Sequence, residues 1–427
     1  MLVLNKIRQK FQSEDRKRLL ENFLSLSVLQ GANYILPLIT LPYLVRVLGP
    51  EKFGLIAFAQ SFIQYFNILT DYGFNLSATR EVSIYRNNKE KISEIFSSVM
   101  IIKFGLLVLS FIIMSIIVFS FKKFKNDWLI YYLTFGMVLG QILFPVWFFQ
   151  GMERMKYITI LNIVAKGIFT ICIFIFIRKM ADYLYVPLIN SLGIVTAGVL
   201  GLYIIFKNYK VNFILPNFET IQYQLKNGWY IFISNVTGNI YGQGTVFILG
   251  LTTNNFVVGY YSAAEKLMKA IASLSQPLAQ ALYPYMVRFN IEALRKNFKK
   301  VFFMSSVMSF LIAFFVYVGA SYIIALLYGK GMENSVIDLQ ILSIGMFFII
   351  LNVIKQPYIF AMKKDKANSY MYIFTGLSFI PVCFLLSYFL KDIGTSISLI
   401  YVEIIIFLWG LYILKDLWRK NYEKTSS

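Results

Sequence analysis

The sequence predicts an all-α membrane protein with about twelve membrane-spanning helices, arranged as two pseudo-symmetric six-helix bundles around a central cavity. Three observations predict this fold class. Hydrophobic residues make up 58% of the 427 residues and the mean hydropathy is +0.64, whereas soluble domains contain roughly 45–50% apolar residues. The apolar residues form runs that are long enough to cross a hydrocarbon core of ~30 Å. A stripe of polar residues also recurs in the two halves of the chain.

The apolar runs define the individual helices and their grouping. The longest connection contains Pro216 and lies near the middle of the chain, which predicts an N-terminal bundle with its tail (1–206), a linker (207–227) and a C-terminal bundle with its tail (228–427). Because six is an even number, both bundles would start on the same side of the membrane, as in transporters built from parallel repeats. The predicted helices lie near 19–46, 54–84, 94–119, 128–150, 157–177, 183–206, 228–250, 256–287, 299–327, 335–360, 368–390 and 394–415.

The distribution of charge predicts the topology. The net charge of +20 comes mainly from Lys and Arg in the N-terminal tail, the even-numbered connections and the C-terminal tail. The positive-inside rule places that side in the cytoplasm, so both termini are predicted to be cytoplasmic. With the charge explained by topology, a nucleic-acid partner is not indicated.

Several function classes are excluded by what the sequence lacks. It contains no His, so histidine acid/base catalysis and His-ligated metal sites are excluded. Both cysteines, Cys172 and Cys383, lie within apolar runs and are expected to be packing residues. The sequence has no phosphate-binding loop of the Gly-x-x-x-x-Gly-Lys type. We therefore expect no enzyme activity, no cofactor and no metal.

The repeated polar stripe is the main indication of a cavity. Its steps of four, seven and four residues place each copy on one helical face, and such a face should contact protein or water rather than lipid. Within the step of seven residues, the first copy has a further polar residue, Asn67, whereas the second copy has Ala272 at the matching position. Gly54 and Gly259 also occupy matching positions, before the two copies begin. Chance, or polar contacts between helices, could also produce it. The first copy is Gln60, Gln64, Asp71 and Asn75, and the second is Glu265, Lys269, Gln276 and Gln280.

Basic residues within apolar helices predict the charge of the cavity. A lysine at mid-membrane costs at least ~2.5–3.5 kcal/mol and is a functional candidate by default. Bases outnumber acids in the helices, so the cavity should be net positive and suit an anionic substrate. Three structural alternatives remain: Glu265 and Lys269 neutralise each other, Lys103 reaches the membrane surface, or Arg46 ends helix 1 at the headgroups. The predicted cationic residues are Arg46, Arg80, Lys103, Lys166, Lys266 and Lys269.

Amide and acidic side chains complete the predicted site. The amides suit sugar hydroxyl groups, although they could equally serve helix packing. Asp71 and Glu265 are the candidates for binding a coupling ion, H⁺ or Na⁺, unless they only balance nearby bases. The predicted sugar-contacting residues are Asn33, Gln60, Gln64, Asn67, Asn235, Asn239, Gln243, Gln276 and Gln280.

Three segments resemble one family of transporters. They are Leu41–Gly54, with its proline, arginine, Leu-Gly and Phe-Gly pattern, then Asp71–Phe74 followed by Ala78–Ser83, and Trp147–Tyr157. They are similar to the Wzx-type O-antigen and polysaccharide flippases, in the superfamily that also contains the multidrug and toxin extrusion (MATE) transporters and the lipid II flippase. The resemblance covers essentially the whole chain. The chain lacks the arginine and aspartate in the middle of helix 1 that are associated with the lipid II branch.

The resemblance implies a fold, a substrate and partners. It implies two six-helix bundles around a V-shaped cavity in a bacterial inner membrane. By alternating access, such a protein passes an undecaprenyl-pyrophosphate-linked sugar repeat unit to the periplasmic leaflet. Partnership with the polymerase and chain-length regulator of the same pathway is implied as well. The alternatives are a cation-coupled drug or metabolite exporter of the same fold, and a membrane polymerase, ligase or acyltransferase.

Overall fold

A computed structural model describes residues 2–286, 291–362 and 364–426, and in these residues the chain is helical with no strand. The elements in chain order are α1 (Leu2–Asp71), α2 (Phe74–Tyr85), α3 (Lys89–Ser120), α4 (Lys122–Lys125), α5 (Trp128–Leu143), α6 (Val146–Gly151), α7 (Met155–Phe176), a 3₁₀ turn (Met180–Leu184), α8 (Tyr185–Ile204), a π-helical turn (Ile205–Tyr209), α9 (Phe218–Thr252), α10 (Asn255–Ser273), α11 (Gln276–Met286), α12 (Ile291–Tyr328), α13 (Ser335–Ala361) and α14 (Asp365–Ser426).

Eight helical segments of the described chain are long and apolar enough to cross a membrane. Two of them are much longer than one crossing needs, namely Ile39–Tyr85 with 47 residues and Lys366–Asp416 with 51 residues. Both belong to helices with an internal break, at Gly49 in α1 (φ 68°) and at Lys391 in α14 (φ 53°). A positive φ does not fit a right-handed helix, so each break changes the direction of the chain.

Three predicted helices are interrupted where the sequence analysis expected them to be continuous. The segment 54–84 breaks at Tyr72 and Gly73, which both have positive φ. The segment 128–150 breaks at Pro145, and 256–287 breaks just before Pro277. Proline lacks the amide hydrogen that a helix needs, which explains the last two breaks. The first and third breaks fall within the two copies of the polar stripe.

The described residues form two compact units. The first unit contains the residues up to Thr40 and Phe62–Asn235, and the second contains Leu41–Ser61 and the residues from Val236 onward. In the first unit, the core is rich in aromatic side chains, with Trp147 packed against Phe96 and Phe148, and Tyr131 against Phe62. The predicted boundaries at 206 and 228 follow hydropathy and remain a prediction.

In the second unit, the repeated glycines lie where two helices cross. A Cβ atom on Gly54 would overlap the backbone of Asn255 and Gly259, and a Cβ atom on Gly259 would overlap the backbone of Pro50. The stripe-bearing segments after Gly54 and Gly259 are therefore in direct backbone contact near their starts. Small residues of this kind allow helices to approach closely in a membrane.

Arg46 holds the end of another helix in the same unit. Its guanidinium group donates hydrogen bonds to the carbonyl oxygens of Leu326 and Leu327 in the last turn of α12. These carbonyls have no partner within the helix, and a cation at a helix C-terminus is also favoured by the helix dipole. Arg46 is exposed and does not line either of the cavities described below.

We expect Arg46→Met to destabilise the purified protein by about 1–3 kcal/mol, because hydrogen bonds from a charged donor are lost while the aliphatic stem is kept. Arg46→Lys should cost less, since it keeps the positive charge beside the carbonyls. Thermal unfolding of the purified variants in nanodiscs measures the difference. Equal stability of Arg46→Met and the unchanged protein would contradict this role.

Candidate functional site

The first unit contains a polar cavity of about 320 Å³ that is lined by residues of seven helices, α1 to α3 and α5 to α8, and of the turn before α6. It collects much of the predicted site, including three of the four residues of the first stripe, Asn67 in the gap of that stripe, and two of the predicted lysines. Its lining residues are Gln64, Asn67, Asp71, Asn75, Lys103, Met137, Gln141, Phe144, Val146, Asn162, Ala165, Lys166, Phe169, Asn190 and Ile194.

Lys103 and Asp71 form an ion pair on the wall of this cavity. Lys103 on α3 is 2% exposed, and its Nζ lies 3.5 Å from Oδ1 of Asp71 at the end of α1. At this burial, an unpaired charge would be costly, so each group stabilises the other. The ammonium group of Lys103 is thus buried beside Asp71 rather than exposed on the surface of the protein.

Lys166 provides positive charge without a paired acid. It lies on α7, is partly buried, and donates a hydrogen bond to Oδ1 of Asn33 on α1. Among the described residues, no carboxylate forms an ion pair with it. The cavity wall therefore carries two lysines against one aspartate, and the excess charge is that of Lys166.

Amides surround these charges. The side chain of Asn67 is 3% exposed and donates to Oε1 of Gln64 at 3.1 Å. The Oδ1 atom of Asn67 is buried and has no hydrogen-bond partner among the described residues. A buried amide oxygen without a partner is unfavourable and is usually satisfied by water or a ligand. The wall can therefore accept hydrogen bonds as well as bind an anion.

The second unit contains a larger cavity of about 590 Å³ between α11, α13 and α14. Gln276 and Gln280 of the second stripe line it, and they correspond in the repeat to Asp71 and Asn75. Among the described residues that line it there is one carboxylate, Glu403, and no basic side chain. The lining residues are Gln276, Ala279, Gln280, Ile349, Asn352, Val353, Gln356, Pro357, Phe360, Tyr372, Glu403 and Ile406.

Glu265 is buried within the second unit and does not line this cavity. Its side chain is 3% exposed, and Oε1 accepts hydrogen bonds from Thr245 at 2.8 Å and Tyr261 at 3.3 Å. Lys269 lies 3.0 Å from the same oxygen and also donates to the carbonyl oxygen of Gly242. The i, i+4 pair considered as an alternative in the sequence analysis is thus formed.

Four other predicted residues, Lys266, Arg80, Gln60 and Asn235, do not line either cavity. Lys266 places its ammonium group 4.9 Å from the centre of the Phe53 ring in the second unit. Arg80 is exposed in the first unit and donates to Oδ1 of Asn227 at 2.8 Å. Gln60 is partly buried in the second unit, and Asn235 is partly buried in the first. Asn239 and Gln243 belong to α9, but their side chains lie outside the described part of the structure.

The structure adds polar residues that the sequence analysis did not select. In the first cavity they are Gln141, Asn162 and Asn190. The spacing of Asn162 and Lys166, four residues apart on one helix, was a usable signal. In the second cavity they are Asn352, Gln356, Tyr372 and Glu403. Asn352 and Gln356 have the same four-residue spacing, on the face that Glu403 meets from α14.

These features define a helical, multi-pass membrane protein with a polar cavity in each unit. The sequence profile of a family described as "Polysaccharide biosynthesis protein" matches residues 19–290. The chain belongs to this family.

The chain is also similar to relatives that carry the name "Putative O-antigen transporter". One, from Escherichia coli (strain K12), is 30% identical over 392 residues, with 90% of this chain and 94% of the relative covered. Another, from Shigella dysenteriae, is 28% identical over 408 residues, with 92% of this chain and 100% of the relative covered.

Two solved structures share the fold. An inward-facing MATE family multidrug resistance transporter of the MOP superfamily matches with a TM-score of 0.69 at 15% identity, covering 92% of this chain and 96% of that one. The lipid II flippase MurJ in an inward closed conformation matches with a TM-score of 0.69 at 15% identity, covering 92% and 87%. At this identity the likeness concerns the fold alone.

Proposed function

We propose that the protein is a flippase for an undecaprenyl-pyrophosphate-linked oligosaccharide, the precursor of O-antigen or a related surface polysaccharide. It would move this lipid from the cytoplasmic to the periplasmic leaflet of the bacterial inner membrane by alternating access. The family, the names of the relatives and the fold shared with a lipid II flippase support this proposal.

The observation that carries the proposal is the first cavity. It combines the unpaired cation Lys166 with amide groups, including the buried Oδ1 of Asn67, which has no partner among the described residues. A lysine ammonium group can bind a phosphate as a point charge. Amides can hydrogen-bond the hydroxyl and amide groups of a sugar. A pyrophosphate with an attached sugar presents both kinds of group.

Twelve membrane crossings in two bundles are part of the same proposal. The 70 residues of α1 and the 62 residues of α14 correspond to lengths of about 105 and 93 Å at 1.5 Å per residue. Each is about three times the ~30 Å hydrocarbon core, and each has a break at which the chain can turn. Together with the excess of Lys and Arg on one side, this supports cytoplasmic termini. A polymerase and chain-length regulator of the same pathway are the proposed protein partners.

Reconstituted transport tests the proposal. The purified protein is placed in liposomes with undecaprenyl-pyrophosphoryl-N-acetylglucosamine in both leaflets, and a lectin added outside reports the fraction of sugar that reaches the outer leaflet. We expect the protein to exchange the pool between leaflets much faster than liposomes without protein do. The same exchange rate with and without protein would contradict the proposal. Uptake of a cationic dye instead would favour the exporter alternative.

A further inference from the structure

Two polar side chains of the wall of the second cavity, Glu403 and Asn352, form a hydrogen-bonded chain with Lys355 behind the wall, and the proposed function does not use this chain. Nδ2 of Asn352 donates to Oε2 of Glu403 at 2.8 Å and to the backbone oxygen of Glu403 at 3.0 Å. Nζ of Lys355 donates to Oδ1 of Asn352 at 2.8 Å. The amide therefore links the carboxylate on α14 to the ammonium group on α13, and both of its polar atoms are used.

Lys355 is a fixed cation behind the wall. It is fully buried, and its other hydrogen bonds go to the backbone oxygens of Ile406 at 2.6 Å and Phe407 at 3.3 Å. An ammonium group has three hydrogens, and these three acceptors satisfy them. The side chain fits against Gly410, where a Cβ atom would overlap the ammonium group. Lys355 is held by α13 and α14, and no carboxylate of the described residues forms an ion pair with it.

Glu403 faces the cavity and is only partly satisfied. Its side chain is 7% exposed, and Oε1 accepts no hydrogen bond from the described residues. The other titratable groups that act on it are Lys355, Lys269 on α10 and Tyr372. The hydroxyl of Tyr372 donates to Oε1 of Gln356 at 3.4 Å. Glu265, by contrast, accepts bonds from three donors.

A purely structural role would tie α13 to α14. In that role, a buried ion pair stabilises the contact between the helices most when the ammonium group is in direct contact with the carboxylate. Here the lysine is satisfied without the carboxylate, so Glu403 can change its protonation state while Lys355 keeps all its acceptors. Glu403 lines the cavity and its Oε1 accepts no hydrogen bond from the described residues, so water in the cavity can deliver and remove a proton.

We infer that Glu403 is a proton-binding site of the second cavity. Its carboxylate takes a proton from a hydronium ion in the cavity, which becomes water, and returns the proton to water in the reverse step. Protonation removes the negative charge of the wall, so an anionic group enters this cavity more readily when Glu403 is neutral. Asn352 and Lys355 position the carboxyl group. The link to transport rests on the proposed function, whereas proton binding does not.

Labelling of the unmodified protein in nanodiscs tests proton binding directly. Dicyclohexylcarbodiimide reacts with protonated carboxyl groups in apolar surroundings and leaves an N-acylurea, which mass spectrometry locates in a peptide. We expect the labelled fraction at Glu403 to be at least about tenfold higher than at Asp71 and Glu265, which are paired with lysines. The label at Glu403 should decrease as the pH rises. Labelling that is absent at Glu403, or independent of pH, overturns the inference.

Transport in a pH gradient tests the role of the proton. In Glu403→Gln, the glutamine side chain has the shape of a protonated glutamate and cannot lose a proton. We therefore expect the rate at which this variant exchanges the lipid between leaflets to become independent of the pH gradient. Glu219→Gln, at an exposed carboxylate outside both cavities, is the matched control and should respond like the unchanged protein. A full response in Glu403→Gln overturns a role in coupling. If no protein moves the lipid, the proposed function fails, and the labelling result still decides whether Glu403 binds a proton.

Discussion

Replacing Lys166 by glutamate is expected to abolish export of the polysaccharide precursor while the protein remains in the membrane. Lys166 carries the excess positive charge of the first cavity. A unit charge ~4 Å from a phosphate contributes about 4 kcal/mol at an effective dielectric constant of ~20. Loss of that attraction lowers affinity about a thousandfold, and the reversed charge adds repulsion. Surface polysaccharide in cells that lack their own copy of the gene measures the effect.

The choice of variants separates charge from folding. Lys166→Arg keeps the charge and should keep most export, and Lys166→Met should be intermediate. Lys122→Glu makes the same charge change at an exposed site on α4, outside the cavity, and should be close to normal. Lys103→Glu would place a second carboxylate beside Asp71, so it should lower the amount of protein in the membrane. Normal export by Lys166→Glu at normal membrane levels would remove Lys166 from the site.

The sequence predicted which side chains share one face of a helix better than it predicted which other helices that face contacts. The spacing of Gln64 and Asp71 placed them on one face of α1, and in the structure both line one cavity, because the helical period fixes which side chains share a face. Asn75 lines the same cavity from α2, beyond the break at Tyr72 and Gly73, so the period of one helix does not account for its position. The spacing also related Asp71 and Asn75 to Gln276 and Gln280, which line the cavity of the other unit.

Contacts between distant helices could not be predicted in this way. The partner of Lys103 is Asp71 on another helix, and the partner of Arg46 is the end of α12. Neither has a local spacing to identify it, because tertiary packing decides which helices meet. Glu403 is a single acid in an apolar run, and its importance appears only when Asn352 and Lys355 lie beside it. The helix breaks at Pro145 and Pro277 had a local signal, whereas Tyr72 with a positive φ had none.

The crossing of Gly54 and Gly259 is expected to tolerate no larger residue. A Cβ atom on either glycine would overlap backbone atoms, which cannot rotate away as the end of a side chain can. Overpacking of this kind costs about 1–3 kcal/mol and occasionally more. We therefore expect Gly54→Ala and Gly259→Ala to lower the thermal unfolding temperature of the purified protein clearly. Gly54→Val should lower the amount of protein in the membrane as well.

Gly105→Ala is the matched control, because Gly105 lies within α3 and a Cβ atom there would contact nothing within 4 Å. It should be neutral or stabilising, since alanine favours a helix over glycine by about 1 kcal/mol. The double variant of Gly54 and Gly259 tests whether the two glycines act at one contact. The first alanine pushes the helices apart, so the second should cost less than it does alone, as expected for residues that share a contact. If the decreases in stability of the two single variants simply add up in the double variant, each glycine is required for a separate reason. If both single variants are as stable as the unchanged protein, the two helices do not cross closely at these glycines.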